Sequence, residues 1–354
     1  MRQHGDFHRM TNYPRISIQT HGCKLNQADS LQISMKFEEA GFTIVGPKDE
    51  SDIHILNTCT VTHIADRKGR QAIRAIKRMN NAGKIVVTGC YAERDAATLK
   101  RMPEVDLVVG NSDKESLIVT VKDLFHRQSE IDNVFPDFHM VNRNEKNRAM
   151  IKIQEGCNQV CSYCIVPKVR GRERSVPVSQ IVSSINKLSS LSCQEVVLTG
   201  TQLGSYGFDL KDADLGSLIQ KVLSSTDVPR VRVSSIQPQE INSRLLDLWS
   251  NTRLCPHFHI PLQSGSSGIL ATMRRRYDAD QYMEALQLIR HNVKDVSITT
   301  DVIVGFPGET DNDFNLTKEI CKVAHFSDMH IFKFSNRPGT SAYYLEDTVA
   351  YQDK

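Results

Sequence analysis

The sequence contains no run of about 18 consecutive apolar residues, so we expect no membrane-spanning segment. Its first fourteen residues (MRQHGDFHRMTNYP) lack the apolar stretch of a secretory signal, and we therefore expect a cytoplasmic protein. Neither sign of charge dominates, because 44 Lys and Arg oppose 41 Asp and Glu, for a net charge of +3. With 40% hydrophobic and 24% charged residues among 354, the composition excludes a disordered or collagen-like chain, and the length suits two domains.

The sequence also lacks an even number of cysteines, because it contains nine. Without an export signal, an odd number argues against a disulfide framework. In a reducing compartment, clustered cysteines are more often metal ligands or catalytic groups. The positions of the nine cysteines are therefore the most informative feature of this sequence.

Strand-like and helix-like patterns alternate over the first third of the sequence. Alternation of this kind favours a parallel sheet covered by helices. We therefore predict an α/β fold that begins with an open parallel sheet domain over residues 1–135, and the polar segment 126–147 is predicted to be a linker or an irregular crossover. The predicted strands are Arg15–Thr20, Asp52–Asn57, Lys84–Thr88 and Val105–Val109, and the predicted helices are Ala28–Ala40, Ala65–Met79, Glu93–Arg101 and Lys114–Phe125.

Six further strand patterns follow, with helical patterns between them. Six β/α units fall two short of a complete (β/α)₈ barrel. We therefore predict an open, partial (β/α)₆ barrel over residues 136–354. The predicted strands are Ala149–Gln154, Glu195–Thr199, Arg230–Ile236, His257–Leu262, Val296–Val304 and Met329–Phe334, and the predicted helices are Val178–Leu191, Leu215–Ser224, Ile241–Ser250, Ala279–Arg290 and Asn312–Val323.

A compact run of cysteines, which we call the cysteine loop, follows the first strand of the second domain. It comprises Cys157, Cys161 and Cys164 in GCNQVCSYC, with C-x₃-C-x₂-C spacing. Soft thiolate ligands favour zinc or an iron–sulfur cluster. The run supplies three ligands, so an iron of a bound cluster would stay open to another ligand, as a catalytic zinc does. A zinc site completed by a distant fourth ligand is the alternative, although zinc sites more often use paired C-x₂-C spacings.

Three other cysteines, which we call the edge cysteines, each follow a predicted strand of the first domain. They are Cys23, Cys59 and Cys90. Ligands of open α/β sheets collect at the carboxyl ends of the strands, so these three thiols are expected to converge and to hold a second cluster with an open iron. Three separate buried cysteines are the alternative. The remaining cysteines, Cys193, Cys255 and Cys321, show no such arrangement and are predicted to be packing residues.

The cysteine loop carries an aromatic residue, Tyr163, before its last cysteine, and it resembles the signature of radical S-adenosylmethionine (SAM) enzymes. Together with the edge cysteines it resembles, more specifically, the methylthiotransferase family, over nearly the whole sequence. The matching stretches are THGCKLNQADS at 20–30, NTCTVTHIAD at 57–66, TGCYAE at 88–93, GCNQVCSYCIVPKVRGRERS at 156–175, VVLTGTQLGSYG at 196–207, HFHIPLQSGS at 257–266, TDVIVGFPGET at 300–310 and RPGT at 337–340.

The methylthiotransferase family has three branches. They act on isopentenyladenosine in tRNA, on threonylcarbamoyladenosine in tRNA, and on an aspartate of a ribosomal protein. The stretches GCKLNQADS, LTGTQLGSYGFDL and RVRVSSIQPQEI look most like the threonylcarbamoyladenosine branch. The resemblance thus implies methylthiolation of C2 of N6-threonylcarbamoyladenosine at tRNA position 37. The other two substrates are alternatives, and a non-catalytic iron–sulfur protein that binds RNA is a distant one.

The resemblance also implies the cofactors, which are two [4Fe–4S] clusters and SAM. The cysteine loop would bind the first cluster, whose open iron is chelated by SAM. One-electron reduction by an electron donor would then release a 5′-deoxyadenosyl radical, which takes the hydrogen from C2 of the adenosine. The edge cysteines would hold the auxiliary cluster that carries the sulfur, and a second SAM would donate the methyl group. No side chain is assigned as catalytic, because the cofactors carry the difficult step.

Several residues at the ends of the barrel strands offer polar or backbone groups that could contact SAM, and the segment Ile303–Gly305 resembles one that flanks the adenine in related enzymes. A hydrogen-bonded polar group at a strand end is the alternative for each of them. These candidate SAM contacts are Tyr163, Thr199, Gly200, Ser234, Ser235, Gln263, Ile303 and Gly305.

Basic segments suit contact with the anticodon loop of tRNA, although solvated helix faces would look the same. Residues 66–78 carry six basic and one acidic residue, residues 143–174 carry eight and three, and 274–276 are three consecutive arginines. Members of the family usually continue after RPGT into a small β-barrel that binds tRNA, and we expect that domain to be absent here. The family commonly has Arg where this sequence has Val176, and Glu where it has Gln237.

Overall fold

The computed structural model describes residues 14–126, 147–350 and 352–354, and these form two compact units. Within those ranges the first unit contains residues 14–22, 29–59 and 64–126, and the second contains 23–28, 60–63 and everything from 147 onward. The predicted domain boundary between 135 and 136, and nearly all of the predicted linker, lie outside the described residues. None of the described helices is long and apolar enough to cross a membrane.

A parallel sheet forms the centre of the first unit, as predicted, and it contains five strands where four were predicted. Its spatial order is β2-β1-β3-β4-β5. The three-residue strand β2 was missed by the sequence analysis, because so short a segment shows no period. The strands are β1 (Arg15–Thr20), β2 (Thr43–Val45), β3 (Ile53–Thr58), β4 (Lys84–Gly89) and β5 (Leu107–Val109).

Two apolar clusters cover the two faces of this sheet. Along β3, Ile53 and Ile55 pack into one cluster with Phe37, whereas Leu56 packs into the other with Ile73. Successive side chains of a strand point to opposite faces, and every residue of β3 is buried, as expected for a central parallel strand covered on both sides.

The helices of the first unit follow the predicted order, with one wrong prediction. The predicted single helix over Glu93–Arg101 is two short helices, because Asp95 leaves the helical conformation (φ −146°) and its carboxylate caps the second by accepting from Thr98 N. The helices are α1 (Lys24–Glu39), α2 (His63–Met79), α3 (Cys90–Arg94), α4 (Ala96–Lys100) and α5 (Leu117–His126).

Six parallel strands in sequence order form the second unit, which confirms the predicted partial barrel. They pair as β6-β9-β10 and β11-β12-β13, and the backbone bridge Ser235↔His259 joins β10 to β11. An antiparallel ribbon, β7 with β8, flanks the cysteine loop. The strands are β6 (Arg148–Lys152), β7 (Gln154–Glu155), β8 (Arg174–Ser175), β9 (Glu195–Thr199), β10 (Arg230–Val233), β11 (His257–His259), β12 (Ser297–Val304) and β13 (Asp328–Lys333).

Helices connect these strands and pack on one face of them. Along β12, Ile298, Thr300 and Val302 are buried, while the alternate residues are partly exposed. The predicted helix over Ile241–Ser250 is wrong in its extent, because it consists of α9 and a 3₁₀ turn over Asp247–Ser250. The helices are α6 (Val166–Arg170), α7 (Val178–Ser190), α8 (Leu215–Ser225), α9 (Ser243–Leu246), α10 (Ser267–Thr272), α11 (Ala279–Asn292) and α12 (Asp311–Val323).

Candidate functional site

The cysteine loop lies between β7 and α6, at the carboxyl end of β6. Gly156 opens it with φ = 78°, and a Cβ there would lie 1.9 Å from the carbonyl oxygen of Arg172, so glycine is required. Cys157 N donates to Gly171 O at 3.1 Å, and Ser162 N donates to Met273 O at 3.0 Å. The loop is therefore held by backbone bonds at both ends.

The thiols of the cysteine loop are buried or partly buried. Cys157 is buried, and Cys161 and Cys164 are partly exposed. Burial raises the pKa of Cys157 to about 11 and that of Cys164 to about 12. Binding of a metal group at this loop must therefore displace protons from these thiols.

The cysteine loop supplies three soft ligands. Among the described residues, one group of three His, Cys, Asp or Glu ligand atoms lies within 4.8 Å of one another, and it is His259, Asp301 and His330. The three sulfurs of the cysteine loop are therefore not all within 4.8 Å of one another. The kind and number of these ligands suit an iron–sulfur cluster with one open iron.

Aromatic and aliphatic side chains pack against the cysteine loop. The ring of Tyr163 meets that of Phe306 edge to face, with 6.5 Å between centroids. Tyr163 and Ile303, two candidate SAM contacts far apart in sequence, both pack against one apolar cluster that includes Met273 and Phe306. This packing brings the end of β12 close to the cysteine loop and keeps water from that side of it.

The other candidate SAM contacts follow neighbouring parallel strands, so the structure places them along one edge of the barrel. Thr199 is buried at the end of β9, and Ser234 N donates to Leu198 O at 3.0 Å. Gln263 has φ = 65°, an unusual conformation for a residue other than glycine. Its carbonyl oxygen accepts from Ile303 N at 2.8 Å. Gly305 also has a positive φ, of 71°.

Gln154 links this edge to the cysteine loop, and the sequence analysis missed it. Its Oε1 accepts from Thr201 N and Gln202 N at 2.9 Å each, and its Nε2 donates to Gly156 O at 2.8 Å. A Cβ on Gly200 would lie 2.8 Å from Gln154 Oε1. The close approach of Gln154 is thus one physical reason for glycine at position 200.

A polar network between β9 and β10 was also missed. Gln237 Nε2 donates to Gln202 Oε1 at 2.8 Å, and Gln202 Nε2 in turn bonds to Glu240. Glu240 Oε2 also accepts from Gln237 N at 2.9 Å. Burial raises the pKa of Glu240 to about 7, against these hydrogen bonds, which lower it. The carboxyl group of Glu240 therefore gains or loses its proton near neutral pH.

We expect the raised pKa of Glu240 to make the stability of the protein depend on pH. Between pH 4.5 and about 7, the carboxyl group of Glu240 keeps its proton in the native protein but has lost it in the unfolded chain. The free energy of unfolding therefore falls as the pH rises through this window. The free energy of unfolding of Glu240→Gln, relative to that of wild type, should therefore increase by up to about 3 kcal/mol from pH 5 to pH 8. Denaturant titrations followed by the fluorescence of Trp249, the single tryptophan, measure this.

The matched control for that prediction is Glu319→Gln, since Glu319 is an exposed carboxylate on α12. Its free energy of unfolding should differ from that of wild type by the same amount at every pH from 5 to 8. A difference between Glu240→Gln and wild type that does not change with pH would show that Glu240 is ionised throughout.

Two of the edge cysteines lie at the carboxyl ends of neighbouring parallel strands of the first unit, and Cys23 is the first residue of a short segment that belongs to the second unit. Cys59 directly follows β3, Cys90 directly follows β4, and Cys23 comes three residues after β1. Gly89 has φ = 95°, and a Cβ there would lie 2.4 Å from Thr58 O. Cys59 and Cys90 are buried and Cys23 is exposed.

The short segments that follow Cys23 and Cys59 belong to the second unit, where buried arginines bind them. Arg170 Nη2 donates to Asn26 Oδ1 at 2.7 Å, and Arg170 Nη1 pairs with Glu155 Oε1 at 2.6 Å. Arg337 Nη2 donates to Thr60 Oγ1 at 2.8 Å. The arginine of the RPGT stretch is thus a structural residue, buried to 1% exposure.

The three cysteines predicted to be packing residues lie apart in the second unit. Cys193 Sγ donates to Glu195 O at 3.3 Å, Cys255 is buried, and Cys321 lies on α12. The His259, Asp301 and His330 group lies on adjacent strands β11, β12 and β13. Asp301 bonds to both imidazoles, at 3.2 Å and 3.1 Å.

Two family models match the chain. The one described as "Uncharacterized protein family UPF0004" matches residues 15–110, and the "Radical SAM superfamily" matches residues 151–320. A solved structure of the radical SAM methyltransferase TsrM from Kitasatospora setae is similar, with a TM-score of 0.66 over 93% of this chain and 77% of that chain. At 14% sequence identity, that likeness shows the fold alone.

Curated proteins are similar over nearly the whole chain. The chain is 40% identical over 337 residues to the threonylcarbamoyladenosine tRNA methylthiotransferase MtaB of Aquifex aeolicus, covering 93% of this chain and 82% of that protein. It is 35% identical over 344 residues to the Bacillus subtilis protein of the same name, covering 94% and 76%. It is also 35% identical over 344 residues to a tRNA-2-methylthio-N(6)-dimethylallyladenosine synthase of Endomicrobium trichonymphae, covering 95% and 80%.

Proposed function

The chain belongs to the radical SAM methylthiotransferase family, and from that membership we propose that it transfers a methylthio group to C2 of N6-threonylcarbamoyladenosine at position 37 of tRNA. The observation that carries the choice of substrate is the 40% identity, over 93% of the chain, to a protein named for that activity. Methylthiolation of dimethylallyladenosine is the second candidate, because a relative with that printed name is 35% identical.

Membership of the family implies SAM and one [4Fe–4S] cluster, and we propose that the cysteine loop binds that cluster. Its three thiols and the apolar packing of Tyr163 beside them support this assignment. When bound, the cluster and SAM supply a carbon radical that can remove the hydrogen from C2, which no side-chain base could do. The residues of the chain would fix the geometry, and Tyr163 and Phe306 would exclude water.

We further propose that SAM lies along the barrel edge that follows the cysteine loop. The candidate contacts on this edge come from neighbouring strands and are buried or partly buried. Gln263 is held in a left-handed conformation by backbone bonds to Asp301 and Ile303 on β12, and strain of this kind clusters at functional sites. The remaining contacts would be Tyr163, Thr199, Gly200, Ser234, Ser235, Ile303 and Gly305.

The auxiliary cluster is assigned to the edge cysteines in this proposal. Two of them, Cys59 and Cys90, follow neighbouring strands that pair along their whole length, from Ile53↔Lys84 to Thr58↔Gly89. Asn111 Nδ2 lies 3.6 Å from Cys90 Sγ, where it could donate to a thiolate ligand. An electron donor and a second SAM complete the set of reactants.

The exposed face of α2 supports tRNA as the macromolecular substrate. Gly69, Ile73 and Ile76 are buried on one side of this helix, and Arg67, Arg74 and Arg78 are exposed on the opposite side. The seventeen residues of α2 span about 25 Å. Such a cationic face suits several successive phosphates of an RNA strand.

Lys68 borders this face at the end near the edge cysteines. It is exposed. Burial and, to a smaller extent, the positive charge of Lys68 lower the pKa of His21, the residue that follows β1. The cationic face of α2, defined as Arg67, Lys68, Arg74 and Arg78, therefore begins near the carboxyl edge of the sheet. An anticodon arm that follows this face would reach the strand ends.

We predict that replacing all four residues of the cationic face by Gln weakens tRNA binding. The affinity at low salt should fall about tenfold or more, and the slope of log K against log salt should become shallower by about 0.7–0.9 for each phosphate that no longer meets a cation. The matched control removes four exposed cations from α8, α9 and α12 and should bind like wild type. The control residues are Lys221, Arg244, Lys318 and Lys322. Equal losses of affinity in the two variants would mean that net charge matters and the cationic face does not.

Product analysis tests the proposed function. Anaerobically reconstituted protein, with SAM and a reductant, is given tRNA that carries threonylcarbamoyladenosine, tRNA that carries dimethylallyladenosine, or unmodified tRNA. We expect a mass increase for the methylthio group on threonylcarbamoyladenosine alone. Modification of dimethylallyladenosine alone would establish the second candidate. A protein that yields no 5′-deoxyadenosine under these conditions would be a non-catalytic iron–sulfur protein.

A further inference from the structure

Arg275 lies beside the cysteine loop, although 114 residues separate it from Cys161. Its Nη1 donates to Cys161 Sγ at 3.3 Å, its Nη2 to Gln237 Oε1 at 2.6 Å, and its Nε to Tyr277 Oη at 3.1 Å. All three nitrogens of the guanidinium are thus engaged, which fixes its plane and its distance from the sulfur. A thiolate ligand at Cys161 would receive a charged N–H donor.

The backbone around Arg275 is built to hold it there. Arg274 has φ = 57°, a left-handed conformation that is uncommon outside glycine, and Arg275 N donates to Leu270 O at 2.9 Å to close the end of α10. The guanidinium carbon lies 4.8 Å from the ring centre of Tyr277, and Tyr277 Oη donates to Pro261 O at 2.6 Å. Backbone strain of this kind persists only where the surrounding contacts outweigh it.

The charge of Arg275 has no carboxylate among its hydrogen-bond partners, which are a thiol, an amide oxygen and a phenol. A guanidinium is not deprotonated in proteins, so Arg275 is a cation at this position. A partly buried cation is favourable beside a negative partner. An iron–sulfur cluster with thiolate ligands is such a partner.

We propose that Arg275 is a positioning residue that raises the reduction potential of the cluster at the cysteine loop by donating a charged hydrogen bond to the Cys161 thiolate. This inference rests on the proposed binding of that cluster. Hydrogen bonds to the sulfurs and net charge are among the factors that set such potentials. Because reduction adds one negative charge, a fixed cation stabilises the reduced state more than the oxidised state. Arg275 thereby favours the electron transfer that precedes SAM cleavage.

A spectroelectrochemical titration without SAM tests this proposal. The full chain is used with the three edge cysteines replaced by Ala, so that a single cluster assembles. One electron passes from redox mediators to the cluster, and the EPR signal of the reduced form is followed. We expect Arg275→Gln to lower the ratio of reduced to oxidised cluster about tenfold at a fixed potential, which corresponds to a shift of about 59 mV.

Two further variants separate charge from geometry. Gln237→Glu places a carboxylate against Nη2 of Arg275 and leaves the bond to Cys161 in place, so it should shift the ratio in the same direction. Arg276→Gln is the matched control, because Arg276 is exposed and adjacent and carries the same charge. It should change the ratio about twofold or less, since solvent and salt screen its charge.

An unchanged ratio in Arg275→Gln would overturn the proposal. The proposal would also be overturned if Arg275→Gln left the reduction potential of the cluster unchanged but weakened SAM binding, as judged by the SAM-induced change in the EPR signal. Arg275 would then contact SAM itself. If Arg275→Gln and Gln237→Glu both fail to retain iron, Arg275 holds the loop together and does not tune the cluster. A parent chain without any cluster would contradict the proposed function as well, which distinguishes that failure from a failure of Arg275 alone.

Discussion

Cys161→Ala is expected to abolish formation of 5′-deoxyadenosine. The cysteine loop offers three thiols, and Cys161 is the one that also receives the N–H of Arg275. Removing it leaves two ligands, too few to hold a cluster with one open iron, and it leaves Arg275 without its sulfur partner. The measurement is the yield of 5′-deoxyadenosine from SAM with excess reductant, and it should fall to the level of protein that was never reconstituted with iron.

Cys321→Ala provides the control for this prediction. Cys321 is a partly exposed cysteine on α12, and it contributes no ligand to either proposed cluster. Its 5′-deoxyadenosine yield and iron content should match those of wild type. The circular dichroism of all three proteins should agree, because the cysteine loop is held by backbone bonds of Cys157, Ser162 and Cys164 that Cys161→Ala does not remove. Wild-type 5′-deoxyadenosine from Cys161→Ala would overturn the assignment of the cysteine loop.

Cys59→Ala is expected to separate the two halves of the reaction. The variant should still cleave SAM, because the cysteine loop is intact, yet it should form no methylthiolated nucleoside. Cys59 directly follows β3 and is buried. Its replacement by Ala removes one of the three edge thiols, and because only the sulfur is lost, the cavity that is left is small. The measurement is the yield of 5′-deoxyadenosine and of methylthiolated nucleoside in the same reaction, and only the first should be detected.

Cys255→Ala is the matched control, since Cys255 is also buried but belongs to the packing cysteines. It should keep both SAM cleavage and product formation. Iron analysis adds a second readout, because Cys59→Ala should retain one cluster and Cys255→Ala two. Methylthiolated product from Cys59→Ala would show that the division of labour between the two sets of cysteines is wrong. Loss of SAM cleavage in the same variant would show that the two sets are not independent.

Most of the secondary structure could be predicted from local pattern. The strands Arg15–Thr20 and Glu195–Thr199 have the predicted bounds, and α7 and α8 end within one residue of prediction. The misses have local causes that a period does not reveal. Asp95 caps a new helix where one long helix was expected, and the edge strand β2 is too short to show alternation.

The predicted ligand sets came from two different kinds of information. The cysteine loop is a contiguous motif, so the sequence alone showed that its three thiols lie within eight residues of one another in the chain. The edge cysteines required the added step that parallel strands end at one edge, and the order β1-β3-β4 makes their strands neighbours. The candidate SAM contacts came from polar groups at predicted strand ends and, for Ile303–Gly305, from resemblance, and their role as ligands stays a prediction.

The sequence by itself determined the α/β alternation, the partial barrel and the cysteine loop, because periodicity and ligand spacing are properties of residues close together in the chain. The tertiary structure alone decided that Arg275 meets Cys161, that Gln154 bridges the cysteine loop and the residues after Gly200, and that Asp301 binds His259 and His330. These partners come from different strands and loops. Whether they meet depends on strand order and register, which are set by packing of the whole unit and not by any local segment.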